Sequence, residues 1–163
     1  MESLLSAAVL VLAAIVLLNL VLTLAVIRRL RDGATAGPAA PGVGDVVPDF
    51  AATMTDGATL THRDLLTGPA TVVFALPGCA PCTRTLAALP GAEPTFVFVM
   101  GEPGDPETGA VLAKVPFFAR AGVTPMDGPV GRAFGVALFP TTLRIADGVI
   151  RDVDNGVAAG AGV

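Results

Sequence analysis

Residues 70–91 read ATVVFALPGCAPCTRTLAALPG, and the fold of the chain turns on this stretch. Ala70 to Leu76 is an unbroken apolar run with β-branched residues, bounded by Gly68-Pro69 and Pro77-Gly78. Its length and composition predict a strand buried on both faces. Cys79 then stands at a turn, and Pro81 and Cys82 fall in the first turn of a following helix. Thr83 to Leu89 has helical composition, and Pro90-Gly91 stops it. A buried strand that hands a cysteine to a helix start predicts an α/β domain with that junction as its chemical centre.

The same reading extends outward. Thr95 to Met100 (TFVFVM) is a second buried strand. Asp105, Pro106 and Glu107 form a helix start: a capping side chain, proline at the first helical position and acid in the first turn. That helix is expected to reach about Val115 and to continue past Pro116, as a kinked or a new segment, to Ala121. Arg132 to Phe134 reads as a short helical turn. Thr141 to Ala146 and Val149 to Val153 form a hairpin across Asp147-Gly148, a strong two-residue turn signal. On the amino-terminal side, Val43 to Ala51 is an extended lead-in and Thr53 to Leu60 turns at Asp56-Gly57. A helical turn is expected over His62 to Leu66, with Thr61 as its cap.

Hydrophobic residues make up 53% of the 163 residues, without a Trp or Tyr. Much of the excess lies in Leu4 to Ile27, a stretch without a charge. As a helix at ~1.5 Å per residue it would span ~36 Å, enough to cross a ~30 Å hydrocarbon core. A cleaved signal peptide would want a basic start and a shorter apolar core. Here the chain begins Met-Glu-Ser, and Arg28, Arg29 and Arg31 follow the apolar run, so a retained single-pass anchor in the lipid bilayer is expected over residues 1–31. Asn19 and Thr23, one turn apart within it, are expected to bond back to their own helix. Residues 32–44 (DGATAGPAAPGVG) read as a flexible tether, and residues 45–163 as the folded domain. That domain carries seven Lys/Arg against twelve Asp/Glu and no basic run, which excludes the phosphate footprint of a nucleic-acid binder.

Cys79 and Cys82 are the only cysteines. Two cysteines make no disulfide scaffold, and with His62 as the only other soft or borderline ligand they complete no tetrahedral zinc site within one chain. Three readings stay open: a redox couple, half of an intermolecular metal site, or two small buried residues. The strand–turn–helix setting favours the couple, because a helix N-terminus stabilises a thiolate. Cys79, the more accessible, is then the nucleophile, and Cys82 the resolving thiol that attacks the mixed disulfide. His62, beside Arg63 and Asp64, reads as a solvated turn residue rather than a base. Met54, Met100 and Met126 are too scattered for a copper site, and the Phe117-Phe118 pair is expected to pack on the sheet.

VGDVVPDF, the strand, CAPC, and then FGVALFPTTLRIADG together resemble the TlpA- and MauD-type branch of membrane-anchored thioredoxin-like proteins, over about Val43 to Val153. The resemblance implies a thioredoxin-like fold behind an N-terminal transmembrane helix, and thiol–disulfide oxidoreductase activity without a metal or other cofactor. It makes Ala80 and Pro81 the dipeptide that tunes the redox couple, Pro140 a cis-proline beside the cysteines, and Phe139 a lining of the substrate groove. The chain departs from the pattern at three places. Gly78 replaces the aromatic residue usual before the first cysteine. Val73 stands where classical thioredoxins carry a buried acid, and no acid is evident nearby. The C-terminal helix that normally closes the sheet shrinks to GVAAGAGV.

The implied partners are a protein with thiols or a disulfide and an upstream redox donor or acceptor, which could itself be an integral membrane protein. Two rivals remain: a redox-fold accessory subunit or copper chaperone using the same thiols, and a peroxiredoxin-like peroxidase. The last would need Thr three residues before the nucleophile, where Leu76 stands. The arginines after the span favour a cytoplasmic domain by the positive-inside tendency. The resemblance favours the extracytoplasmic face of the cell membrane, which is the expectation adopted.

Overall fold

The computed structural model describes residue 12, residues 15–25 and residues 40–156. The chain divides into two units, Met1–Gly37 and Pro38–Val163. In the first, residues 15–25 are helical and exposed. Asn19 Nδ2 donates to the Ile15 carbonyl at 3.3 Å, and the Thr23 hydroxyl donates to the Asn19 carbonyl at 2.8 Å. Both polar side chains thus bond back within their own helix. Among the described residues no helix is long and apolar enough to cross a membrane. The rest of the expected span at residues 4–27, its arginine flank and most of the tether lie outside the described residues.

The second unit is built on a five-stranded sheet. Its elements in chain order are β1 (Ala51–Thr53), β2 (Thr59–Thr61), a 3₁₀ turn (His62–Leu65), β3 (Pro69–Ala75), α1 (Ala80–Ala87) and β4 (Thr95–Met100). There follow α2 (Pro106–Leu112), β5 (Ala119–Thr124), α3 (Pro129–Phe134), β6 (Thr141–Ala146) and β7 (Val149–Asp154). The sheet order is β5-β4-β3-β6-β7, with β3, β4 and β5 parallel and β6 and β7 antiparallel to their neighbours. β1 and β2 pair as a separate hairpin.

β3 and β4 read as continuous apolar runs because both of their faces are covered. Alternate residues go to opposite sides. Phe74, Phe96 and Phe98 join Phe50, Phe134 and Leu143 in one core cluster. Val73, Ala75, Val97 and Val99 join Cys82, Leu86 and Val111 in the other, beneath α1 and α2. The lead-in is tied down by Val47 N–H donating to the Gly148 carbonyl at 2.9 Å, which buries Phe50. Thr61 and Asp64 form the cap of the 3₁₀ turn, Asp64 Oδ2 accepting from the Thr61 amide at 2.7 Å.

Two expectations are corrected. Residues 119–121 are not helical: α2 ends at Leu112 and Ala119–Thr124 is the edge strand β5. ARAGVT is a weak strand sequence on its own, and pairing with β4 over six residues imposes the extended form. Gly122 suits this site because a Cβ there would meet Met54 Sδ at 3.2 Å and the Phe98 ring at 3.3 Å. Nor does the Phe117-Phe118 pair pack on the sheet. Phe117 is fully exposed, and Phe118 lies against Gly91 with the two rings edge to face. The chain is there leaving α2 for an edge strand, outside the covered faces. Elsewhere Met54 and Met100 are core residues and Met126 is exposed.

Candidate redox site at the end of the central strand

β3 and β4 run in the same direction, so their C-terminal ends share one edge of the domain. From Ala75 the chain passes through Leu76, Pro77 and Gly78 to Cys79. Gly78 has φ +69°, a left-handed conformation that costs any residue with a Cβ about 1–2 kcal/mol. Cys79 is the N-cap of α1, and Pro81 lies in the first turn, where the absence of an N–H leaves nothing unsatisfied. The Cys82 amide donates to Cys79 Sγ at 3.1 Å.

Cys79 and Cys82 are joined as a disulfide, with Cα atoms 5.3 Å apart. Cys79 is half-buried, and Cys82 is wholly buried in the cluster with Val73, Ala75 and Leu86. On reduction, an amide aimed at Sγ and the positive end of α1 would hold negative charge on Cys79, while the buried Cys82 has no such exposure to solvent. The geometry offers one sulfur to an incoming thiol and keeps the other behind it.

β6 brings the remaining site residues to the same edge. Thr141 pairs with Phe74, so Pro140 and Phe139 stand at the end of β3 from which the chain runs to Cys79. The Phe139-Pro140 bond is cis. Phe139 is half-buried and packs, as Cys79 does, on the cluster around Cys82, while Leu138 beside it is exposed. Ala80 and Pro81 are exposed on the first turn of α1. His62 belongs to the 3₁₀ turn, its Nδ1 2.7 Å from Asp49 Oδ1 but without a hydrogen bond between them. Among the described residues no group of three or more His, Cys, Asp or Glu side chains could hold a metal.

Sequence reasoning missed two contributors. The buried Thr141 hydroxyl donates to the Leu138 carbonyl at 2.8 Å and lies 2.9 Å from the Asn155 side-chain amide, tying the Pro140 loop to the end of β7. Glu107, in the first turn of α2, brings Oε2 to within 3.5 Å of where a Cβ on Gly78 would sit. The cap formed by Asp105, whose Oδ2 accepts from the Thr108 amide at 3.0 Å, sets that helix start in place. The capping signal was legible, but the approach of α2 to Gly78 was not.

No protein-family model and no curated protein matches the chain. Solved structures do. A secreted disulfide oxidoreductase of Mycobacterium tuberculosis superposes with a TM-score of 0.55 at 20% identity, over 70% of this chain and 88% of its own. A thio-disulfide isomerase of Thermus thermophilus gives 0.56 at 22% identity, over 72% and 88%. A Chlorobium tepidum protein described as a thiol:disulfide interchange protein of the DsbE type gives 0.58 at 20% identity, over 70% and 85%. The fold is thioredoxin-like. In that setting the strand–Cys79–helix junction and the loop before β6 occupy one end of a shared scaffold, and every further property must come from the residues themselves.

Proposed function

We propose that this chain is a membrane-tethered thiol–disulfide oxidoreductase of the TlpA and MauD type, acting on a partner protein through Cys79 and Cys82. Residues 1–31 are its anchor, 32–44 its tether and 45–163 its thioredoxin-like domain, held on the extracytoplasmic face. The observation that carries the reading is the asymmetry of the pair: Cys79 is reachable at the N-terminus of α1 with the Cys82 amide on its sulfur, and Cys82 is buried behind it.

In the oxidising direction a partner thiolate attacks Cys79 Sγ, and Cys82 leaves as the thiolate with the electron pair of the broken S–S bond. A second partner thiolate then attacks the partner sulfur of the mixed disulfide. Cys79 leaves as a thiolate, the partner gains a disulfide, and this protein is left with two thiols. In the reducing direction the same steps run backwards, with Cys82 closing on the mixed disulfide. Gly78, Phe139 and Pro140 line the approach to Cys79, and Ala80-Pro81 sets the backbone between the two sulfurs. A second thiol–disulfide protein, in the membrane or beside it, restores the starting state.

Cys82→Ser should accumulate mixed disulfides with partner proteins and Cys79→Ser should not; the reverse pattern would overturn the order of attack, and none from either would overturn the reading. The anchor is tested by alkaline carbonate extraction of full-length protein, which should leave it in the membrane fraction. After reduction, labelling of Cys79 in intact cells by an impermeant maleimide is the outcome expected for an extracytoplasmic domain; protection until lysis would place it inside.

A further inference from the structure

Gly78 leaves a gap on one side of Cys79, and the structure puts a carboxylate there. Glu107 Oε2 lies 3.5 Å from the Cβ position of residue 78, and Gly78 and Glu107 are both exposed. Asp105, two residues earlier, is engaged by the Thr108 amide and hydroxyl at 3.0 and 3.1 Å. Glu107 forms no ion pair among the described residues. Its start of helix is held rigidly. Thr108 is buried, and a Cβ on Gly101 would strike Thr108 Oγ1 and lie 2.9 Å from Pro77 Cγ. The loop after β4 is therefore packed directly on the segment that leads into Cys79. On the other side of the approach the rim is apolar, with Leu138 exposed and Phe139 half-buried.

We infer that Glu107 is a specificity-determining residue that selects substrates carrying Lys or Arg beside the reacting cysteine. The inference rests on the oxidoreductase reading and names the substrate class for that same site. A substrate cysteine that reaches Cys79 must lay its neighbouring residues over Gly78, where no side chain intervenes between them and the Glu107 carboxylate. A cation there is attracted and an anion repelled, while an apolar residue on the far side meets Leu138 and Phe139. At exposed separations of a few ångströms such a charge contact changes rates by up to about fivefold at low salt. Salt above the physiological range should compress the difference.

The test uses full-length protein in mild detergent, its cysteines reduced. The probes are short peptides whose single cysteine is a mixed disulfide with thionitrobenzoate, flanked by Lys, Gln or Glu. Cys79 thiolate attacks the peptide sulfur and releases thionitrobenzoate; Cys82 then attacks Cys79 and releases the peptide thiol, so two electrons pass from the protein to each probe. The expected order of the second-order rate constant for thionitrobenzoate release is Lys over Gln over Glu, spanning about tenfold and shrinking as salt is raised. Glu107→Gln should abolish the order, and Glu107→Asp should keep part of it. Glu93→Gln removes the same charge before β4, at the opposite end of that strand, and should preserve the order. An order that survives Glu107→Gln, or one lost equally in Glu93→Gln, overturns the role of Glu107 and leaves the exchange reading standing. Absence of exchange with every probe overturns the exchange reading and this inference together.

Discussion

One face of the sheet is treated in two ways. Over β3 and β4 it presents Val73, Ala75, Val97 and Val99, sealed beneath α1 and α2. Over β6 and β7 the same face carries Thr142, Arg144, Asp152 and Asp154, which the strand register sets beside Thr71 and Val73. No described helix lies over that half. Instead a groove of about 500 Å³ opens there between α1 and the hairpin, lined by Thr85, Leu89, Glu93, Thr142, Arg144 and Asp154. Buried apolar area supplies most of the stabilisation, so an apolar face needs a cover. The half over β6 and β7 is polar and carries no such need; of the tail GVAAGAGV, all but Gly156 lies outside the described residues. The sealed half is where α1 must be held, since the cysteines ride on it.

The comparison can be broken most directly at Leu86, fully buried under α1 one turn beyond Cys82. Leu86→Ala should cost about 2–5 kcal/mol in urea unfolding, the usual range for a core leucine. A cost below about 1 kcal/mol would mean that α1 is not held by the sealed face.

A smaller effect is expected where the two halves meet, at Thr141. Thr141→Val keeps the shape but strips the hydroxyl from the Leu138 carbonyl and the Asn155 side chain, and should cost about 1–3 kcal/mol. Thr141→Ser should keep the hydroxyl bonds and most of that stability. If Val and Ser variants unfold alike, the tie between the Pro140 loop and β7 contributes nothing.

On the open half, Thr142→Ala at a half-buried polar site and Asp152→Asn at an exposed one should each stay within about 0.5 kcal/mol. The Arg144–Asp152 pair is long at 3.9 Å and solvated, so little is lost with it. A cost comparable to that of Leu86→Ala would show that the polar half is buried against something, and the contrast would fall.

The smallest effect concerns acid. The Thr61 amide and hydroxyl hold the Asp64 carboxyl below its ordinary 3.8, and the Arg120 guanidinium does the same for Asp56. A depressed native value means that the unfolded chain takes up the proton first. The contribution is therefore present above the unfolded value and lost as pH falls through the native one. Asp64→Asn should accordingly lessen, slightly, the fall in Tm as pH drops through and below 3.8, read by a thermal melt series. An unchanged acid limb would show that the cap adds nothing on titration.

Much of this molecule could be read from the chain. β3, β4 and the β6–β7 hairpin followed from apolar runs and Asp147-Gly148, and the caps at Thr61 and Asp105 from residues within a turn of the groups they bond. These signals are local, so the residues that carry them determine them by sequence alone. The tertiary structure decided the rest. ARAGVT became a strand because β4 lay open beside it, and Phe117 stayed in water because the chain was passing to an edge. Asn155 reached Thr141 fourteen residues away, and Glu107 reached Gly78 where Gly101 packs close to both Thr108 and Pro77. Those contacts join segments whose own preferences say nothing of one another, and only the burial of the sheet's two faces brings them within bonding distance.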